Sequence, residues 1–108
     1  KKLIKKLKMK LLTDELIKNL PPLYSTENIK DPLIQCKFFT PDSSWSWYVL
    51  EFDKTNEIFF GYVCGLEREL GYFSLAELES VKGQLGLGVE RDISFKPTKL
   101  SVIKKEHQ

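Results

Sequence analysis

The sequence predicts an α+β fold, a small antiparallel sheet of about four strands with short flanking helices. Three runs rich in aromatic and β-branched residues follow one another between residues 33 and 64, separated by turn sequences. Such a succession is typical of antiparallel strands. Segments on both sides carry helix-capping residues and apolar residues three or four apart, which indicates short helices. A chain of 108 residues is long enough for one domain with its own core.

Charge is distributed unevenly along the chain. The formal net charge is +2, but five of the seventeen basic residues lie in the first eight positions, so the net charge from Met9 onward is −3. We therefore predict a basic N-terminal extension, residues 1–8, a single α+β domain, residues 9–103, and a frayed tail, residues 104–108. The domain is most acidic between residues 40 and 79, which disfavours general nucleic-acid binding by the folded part.

The sequence predicts that both cysteines are free thiols. Cys36 and Cys64 lie inside apolar runs and show none of the spacings of metal or redox motifs. We interpret both as buried hydrophobic residues, while a disulfide between neighbouring strands stays open as an alternative. No apolar run approaches the roughly 18 residues of a membrane-spanning helix, and no secretory signal follows the N-terminal lysines. The sequence therefore predicts a cytoplasmic protein without a membrane span.

The first helical patterns lie at the N-terminus. Residues 1–12 alternate lysine with leucine or isoleucine, which would give a helix one apolar side. Contact with an anionic membrane or a phosphate backbone is one interpretation, and we favour a solvated extension because the segment is short. Thr13 can then cap a short helix, which Pro21 and Pro22 end because neither donates a backbone hydrogen bond.

Three strands follow. The first is Leu33 to Phe39, the second Trp45 to Phe52 and the third Glu57 to Cys64. Gly61, inside the third strand, indicates a bulge or a close approach of another backbone. Strict alternation divides the second strand into two faces, neither of them plainly polar. One face carries Trp45, Trp47, Val49 and Glu51, and the other carries Tyr48, Leu50 and Phe52.

The sequence after the third strand predicts one more helix and one more strand. Residues 66–73 are predicted as a loop that crosses to the helix. Ser74 and Glu77 have the spacing of a capping box, and Gly83 fits the end of the helix that they begin. Asp92 to Phe95 is the predicted last strand, and the chain then ends in a helical turn that frays.

Catalytic signatures are missing from the sequence. The glycine-rich residues 83–88 follow a helix and lack both phosphate-loop patterns, so we interpret them as a turn. The single histidine, His107, lies in a charged tail where we expect no partner to hold it. Serine and cysteine then lack an imidazole activator. We therefore predict no catalytic residues, no metal site and no cofactor.

Trp45 and Trp47 are the strongest candidates for a binding surface. On an exposed sheet they would form a stacking platform for bases or a peptide-binding hot spot, and on a covered face they are core, which we favour. Nearby basic residues are scarce, so a protein is the better candidate partner. The predicted partner-binding set adds Glu51, Glu67 and Glu69, which could also serve acid/base chemistry or bind a hard cation, although ion pairing or solvation is more common.

Four segments together resemble a bacterial family, the domain of unknown function 2958. They are MKLLTDELIKNLPPLYSTE (9–27), KFFTPDSSWSWYVLEFD (37–53), FFGYVCGLERELGYFSLAELESV (59–81) and GLGVERDISFKPTKLS (86–101). The resemblance covers residues 9 to about 101 in the family's order and leaves out residues 1–8. It implies a small cytoplasmic α+β domain, often found on plasmids and mobile elements near genes for conjugation and anti-restriction, with no assigned catalytic residues.

Three functions remain open at this point. We prefer a non-enzymatic accessory protein of a bacterial mobile element that acts by protein–protein contact, with its acidic centre facing a basic partner. The second is a single-stranded nucleic-acid-binding module that uses Lys1–Lys10 with Trp45 and Trp47. The third is an enzyme built on Glu51 with Glu67 or Glu69, which requires these carboxylates to meet in one pocket.

Overall fold

The computed structural model describes residues 11–108, which form three short helices and seven strands. In chain order they are α1 (Asp14–Asn19), β1 (Leu33–Ile34), β2 (Cys36–Phe39), β3 (Ser46–Asp53), β4 (Ile58–Cys64), β5 (Arg68–Ser74), α2 (Leu75–Ser80), β6 (Glu90–Arg91), β7 (Thr98–Lys99) and α3 (Leu100–Glu106). The predicted extension, residues 1–8, and the lysine-rich nucleic-acid contact, Lys1–Lys10, lie outside the described residues.

The main sheet has five antiparallel strands in the order β5-β4-β3-β2-β6. Strands β2 to β5 follow one another as neighbours, and the chain then returns to pair β6 with the outer edge of β2. A second sheet consists of β1 and β7 alone. The α+β class is confirmed, with five strands in the main sheet instead of about four.

Each face of the main sheet is covered by its own hydrophobic core. The face that packs on α1 and α2, here called the α1/α2 face, buries Phe38, Trp47, Val49, Phe59 and Leu78, among others. The opposite face, here called the α3 face, buries Ile34, Tyr48, Leu50 and Tyr62 with Leu100 and Ile103 of α3. Burial on both sides explains why neither face of the second strand is polar in the sequence.

Both predicted helix caps are confirmed. The Thr13 hydroxyl accepts the Leu16 amide hydrogen at 3.1 Å, and Ser74 and Glu77 form the reciprocal capping box. Helix α2 ends at Ser80 with Val81 as its C-cap, so the predicted cap at Gly83 is wrong. That glycine lies in the following turn, where its amide bonds to the Leu87 carbonyl.

Strand β5 replaces the loop predicted over residues 66–73. Four of its residues are exposed and only Phe73 is buried, so its sequence lacks the apolar alternation of a half-buried strand. Pairing with β4 in unbroken register from Arg68 to Ser74 makes it a strand. The prediction was wrong because tertiary pairing outweighs weak local β propensity at an edge.

The C-terminal elements also differ from the prediction. Strand β6 pairs Glu90 and Arg91 with β2, so the expected strand over Asp92 to Phe95 is wrong. Helix α3 continues through Glu106, into the part of the chain predicted to fray. A strand of two residues is too short to show apolar alternation in the sequence. Its position is decided by the neighbouring strand with which it pairs.

A β-bulge in β3 changes which of its side chains share a face. Val49 pairs with Gly61 and Glu51 with Phe60, so Leu50 is the extra residue. Beyond the bulge, Phe52 packs on the α1/α2 face and Glu51 lies opposite Phe60 on the α3 face. The predicted faces of Glu51 and Phe52 are therefore wrong, because a bulge interrupts strict alternation.

The two cysteines lie on opposite faces of the sheet. Cys36 belongs to the core of the α1/α2 face and Cys64 to that of the α3 face, and both are free and buried. They cannot approach each other for a disulfide across the sheet. Burial raises the pKa of Cys36 to about 12, with Arg91 opposing the shift, so this thiol is unreactive at neutral pH.

Candidate functional site

The two tryptophans form one stacked pair on the α1/α2 face. Their ring centroids are 5.8 Å apart and their planes differ by 27°. Trp47 is only 6% exposed, whereas Trp45 is half-buried. A Cβ atom at Gly65 would lie 2.2 Å from the Trp45 ring, so this indole rests directly on the glycine. Trp47 is therefore core, and Trp45 presents the accessible part of the pair.

An open groove of about 410 Å³ runs beside this pair. The indoles form one side, and the segment that follows α2 forms the other. Its lining residues are Thr40, Ser43, Trp45, Trp47, Val81, Lys82, Gly83 and Gln84. We call this feature the tryptophan groove. The two indoles and Val81 supply apolar surface, and polar side chains lie among them, a combination that is typical of binding sites.

Asp42 holds the far wall of the tryptophan groove in place. Its Oδ2 accepts hydrogen bonds from the Leu85 amide at 2.7 Å and from the Leu87 amide at 3.3 Å. Gly83 is the contact point, because a Cβ there would lie 1.5 Å from Asp42 Oδ1. The turn predicted over residues 83–88 is confirmed as a turn, and its position against the tryptophans follows from Asp42.

Thr40 and Trp45 lie at the two ends of the turn that joins β2 to β3, and hydrogen bonds between them fix the Trp45 backbone. The Thr40 amide donates to the Trp45 carbonyl at 3.1 Å, and the Trp45 amide donates to the Thr40 hydroxyl at 3.2 Å. Thr40 is itself buried. A half-exposed indole with a fixed backbone loses little conformational entropy on binding, which favours its use as an anchor.

Two of the three predicted carboxylates lie near the tryptophan pair. Glu69 is exposed and pairs across the sheet with Val63, which in turn pairs with Trp47, so all three share the α1/α2 face. Glu67 is exposed in the β4–β5 turn, where its carbonyl accepts from the amide of Gly65, the glycine under Trp45. The structure therefore places Glu69 on the same face as Trp47, two strands away, and Glu67 in the turn that begins at Gly65 under Trp45.

Glu51 lies apart from that group and binds the backbone of the chain's own N-terminal loop. It is only 2% exposed. Its Oε1 accepts from the Tyr24 amide at 2.8 Å, and its Oε2 accepts from the Thr26 amide at 2.9 Å and from the Thr26 hydroxyl. Phe60 and Val63, the β4 partners of Glu51 and Glu69, are roughly 10 Å apart along the strand. Opposite faces and this offset keep the two carboxylates out of a common pocket.

A family model described as "Protein of unknown function (DUF2958)" matches residues 4–106. The chain belongs to this family. The resemblance stated from residues 9–101 is thereby confirmed, and the match extends it in both directions. No curated protein and no solved structure matches the chain. Membership of DUF2958 carries no activity with it, so the function must be argued from the tryptophan groove and its surroundings.

His107 was not predicted to have a partner, and the structure of this DUF2958 chain shows one. Its Nε2 lies 2.8 Å from the Tyr48 hydroxyl, and the two rings meet edge to face at 5.4 Å. The expectation that nothing holds this histidine is therefore wrong. Leu100, Ile103 and His107 are spaced three and four apart, which places all three on one side of a helix and was the sequence signal for this contact.

The pH response of His107 provides a direct test of this pairing. Burial lowers the pKa of His107 below its usual 6.5, with Arg68 adding to the shift, and burial raises the pKa of Tyr48 to about 12. The neutral imidazole is thus the form that fits the fold. Its contribution to stability is complete above pH 6.5 and is lost as the pH falls through the lower, folded-state pKa.

We expect an NMR titration of this single histidine to give a midpoint below 6.5. In Tyr48→Phe, which removes the hydroxyl beside Nε2 but keeps the ring that buries the imidazole, we expect the midpoint to stay below 6.5, because burial is the main cause of the shift. A midpoint at or above 6.5 in the unmodified protein would contradict the burial of His107 against Tyr48. His107→Gln serves to assign the imidazole signals.

Two further findings concern the residues that the structure describes. Among residues 11–108, no three histidine, cysteine or acidic side chains converge in a way that could hold a metal ion. None of the helices over the same residues has the length and hydropathy to cross a membrane. The tryptophan groove, with its half-buried Trp45, is the feature on which we base a function.

Proposed function

We propose that this protein is a non-enzymatic interaction module that binds a segment of a partner protein in the tryptophan groove. The observation that carries the proposal is the open groove of about 410 Å³, with Trp45 half-buried on one wall and Val81 on the other. Aromatic side chains in such positions contribute much of the binding energy in protein interfaces, because they bury a large apolar area with few rotatable bonds.

The charges around the groove favour a partner segment with a basic residue beside its anchor. Glu67 and Glu69 are exposed on the side of the tryptophan pair where β4 and β5 lie, and among the described residues Lys82 is the one basic side chain that lines the groove. We infer that an aromatic or large aliphatic side chain enters between Trp45 and Val81, while a neighbouring lysine or arginine faces the two carboxylates. Opposite charges at the rim increase association rate and specificity more than affinity.

Selection from a random peptide library displayed on phage, with the 108-residue chain as bait, tests this proposal. We expect the enriched peptides to share one aromatic or large aliphatic residue next to lysine or arginine. Calorimetry with one such peptide should show at least about tenfold weaker binding to Trp45→Ala, equivalent to roughly 1.4 kcal/mol. Peptide binding should also shift the tryptophan fluorescence of the unmodified protein.

Tyr24→Ala is the matched control, because Tyr24 is an aromatic residue that is 62% exposed, lies in the loop whose backbone binds Glu51, and does not line the groove. It should leave peptide affinity unchanged. Glu69→Gln should weaken binding modestly and reduce its dependence on salt. A selection without enrichment, or peptides that bind Trp45→Ala as tightly as the unmodified protein, would refute the proposal.

The accessory role on a mobile element and the cytoplasmic location belong to the same proposal. They rest on the family resemblance, and the presence of two free cysteines in the folded chain is consistent with a reducing compartment. The family resemblance links the protein to a cellular setting only by association. It therefore supports no mechanism for the tryptophan groove.

The two alternatives have weaker support from the described residues. A stacking platform for bases needs exposed rings, and burial of Trp47 leaves Trp45 alone for that purpose. Salt titration of single-stranded DNA binding, comparing the full chain with one that begins at Met9, separates this alternative from the peptide-binding proposal. A carboxylate enzyme would need Glu51 near Glu67 or Glu69, and the bulge gives that arrangement no support.

A further inference from the structure

The two edges of the main sheet are unequal. At one edge, β6 is two residues long and pairs only with Phe38 and Phe39. At the other edge, β5 is seven residues long, and within residues 11–108 no further strand pairs with its outer side. A long open edge presents unpaired backbone donors and acceptors that another strand can bind.

The hydrogen bonds at the two ends of the β4–β5 ladder identify which groups point outward. The Leu75 amide donates to the Glu57 carbonyl and the Gly65 amide to the Glu67 carbonyl, so the odd-numbered residues of β5 face β4. In an antiparallel pair these directions alternate. The N–H and C=O groups of Arg68, Leu70 and Tyr72 therefore point to the open edge.

Two large side chains along this edge are apolar or aromatic and exposed to solvent. Leu70 is 43% exposed and Tyr72 is 56% exposed. Both lie on the α3 face, opposite Tyr62 and Phe60 of β4. Natural edge strands are commonly shielded by charged side chains, prolines or bulges. Strand β5 has no lysine, proline or bulge, and its two charged residues, Arg68 and Glu69, lie together at its N-terminal end, which leaves Leu70 to Ser74 without such protection.

We propose that β5 pairs antiparallel with β5 of a second copy of this chain, with the two-fold axis at Leu70. In this register Leu70 faces Leu70, Arg68 faces Tyr72 and Glu69 faces Gly71. Each pair that involves Arg68, Leu70 or Tyr72 exchanges both backbone hydrogen bonds. The two five-stranded sheets become one continuous sheet, and the apolar side chains of both edges cover each other on the α3 face.

Two neighbouring registers are less favourable for reasons visible in the structure. An axis at Glu69 would place the two Glu69 carboxylates directly opposite each other, which is destabilising. An axis at Gly71 would pair Arg68 with Ser74, whose amide hydrogen is already donated to Glu77 Oε1 in the α2 capping box. The axis at Leu70 avoids both conflicts.

Charge complementarity supports the same register. Desolvation and Tyr24 raise the pKa of Tyr72, and the carboxylates of Glu51 and Glu27 add to the shift, so two acidic groups lie near this side chain. Pairing at Leu70 brings Arg68 of the second copy to this position. A guanidinium group over an aromatic ring and beside carboxylates is a favourable arrangement at an interface.

The oligomeric state of the full chain tests the proposal. An edge interface of this size is small, so sedimentation equilibrium should cover about 1 to 300 µM. We expect the unmodified protein to dimerise within that range. Leu70→Lys and Leu70→Glu should each be monomeric, since each places like charges opposite each other. An equimolar mixture of the two variants should restore the dimer through Lys–Glu pairing.

Val102→Lys is the matched control, because Val102 is 45% exposed on α3 and lies outside the proposed interface. It should dimerise like the unmodified protein. A monomer at all concentrations, a dimer that persists in Leu70→Lys, or a mixture of charge variants that stays monomeric would each overturn the proposal.

Hydrogen exchange provides a second test that needs no variant. Amides of Leu70 and Tyr72, which point to the open edge, should exchange at least about tenfold more slowly at high protein concentration than at low concentration. Amides of Glu69 and Gly71, which already bond to β4, should change little. Equal and rapid exchange of Leu70 and Tyr72 at both ends of the concentration range would also overturn the proposal.

Discussion

Replacing Glu51 by glutamine is expected to destabilise the fold by about 3 kcal/mol, because buried hydrogen bonds to a charged acceptor are worth roughly 1.5–3 kcal/mol each. The carboxylate accepts from Tyr24 and Thr26, and it is almost completely buried. A glutamine keeps the volume but turns an NH₂ group toward backbone donors, which leaves at least one of them unsatisfied. Chemical denaturation at pH 7 measures the change in unfolding free energy.

The loop that contains Tyr24 should respond most strongly to this substitution. Tyr24 has a φ of 70°, an unusual conformation for a residue other than glycine, and its bond to Glu51 offsets that strain. We therefore expect the amides of Tyr24 and Thr26 to lose hydrogen-exchange protection in Glu51→Gln. Glu69→Gln, an exposed carboxylate on β5, is the control and should change stability by less than about 0.5 kcal/mol. A loss below about 1 kcal/mol for Glu51→Gln would show that the loop is held by other contacts.

Gly61→Ala is expected to be the most disruptive single-methyl addition in the sheet. The new Cβ would lie 2.0 Å from the Tyr48 carbonyl oxygen and 3.1 Å from the Val49 Cα, both backbone atoms of the central strand. Backbone cannot rotate away as a side chain can, so β3 and β4 must separate beside the bulge. We expect a loss of about 3 kcal/mol, the upper part of the range for overpacking.

Gly71→Ala is the control for that prediction, because Gly71 pairs directly with Gly61 across the β4–β5 ladder and a Cβ added there would meet nothing within 4 Å. We expect it to be neutral or slightly stabilising, since alanine reduces the freedom of the unfolded chain. Thermal unfolding of both variants under one buffer gives the comparison. Equal effects of the two substitutions would mean that the close approach at Gly61 is relieved at little cost.

Local chemistry determined several parts of this protein from the sequence alone. Thr13 and the Ser74–Glu77 pair begin helices where they were predicted, because a cap depends only on residues within one turn. The strands β3 and β4 and the close approach at Gly61 were likewise predicted, since runs of aromatic and β-branched residues leave a strong pattern. Nearly the whole chain could also be placed in its family.

Tertiary contacts decided the rest, and the candidate site depends on them. One extra residue, Leu50, moved Glu51 from the face of Trp47 to the opposite face, where it binds the backbone at Tyr24. Pairing with β4 made a strand of residues 68–74, and packing on Tyr48 gave His107 a partner. Asp42 brought the turn at Gly83 against the tryptophans and so formed the groove. Each of these contacts joins residues distant in sequence, and local patterns carry no information about such pairings.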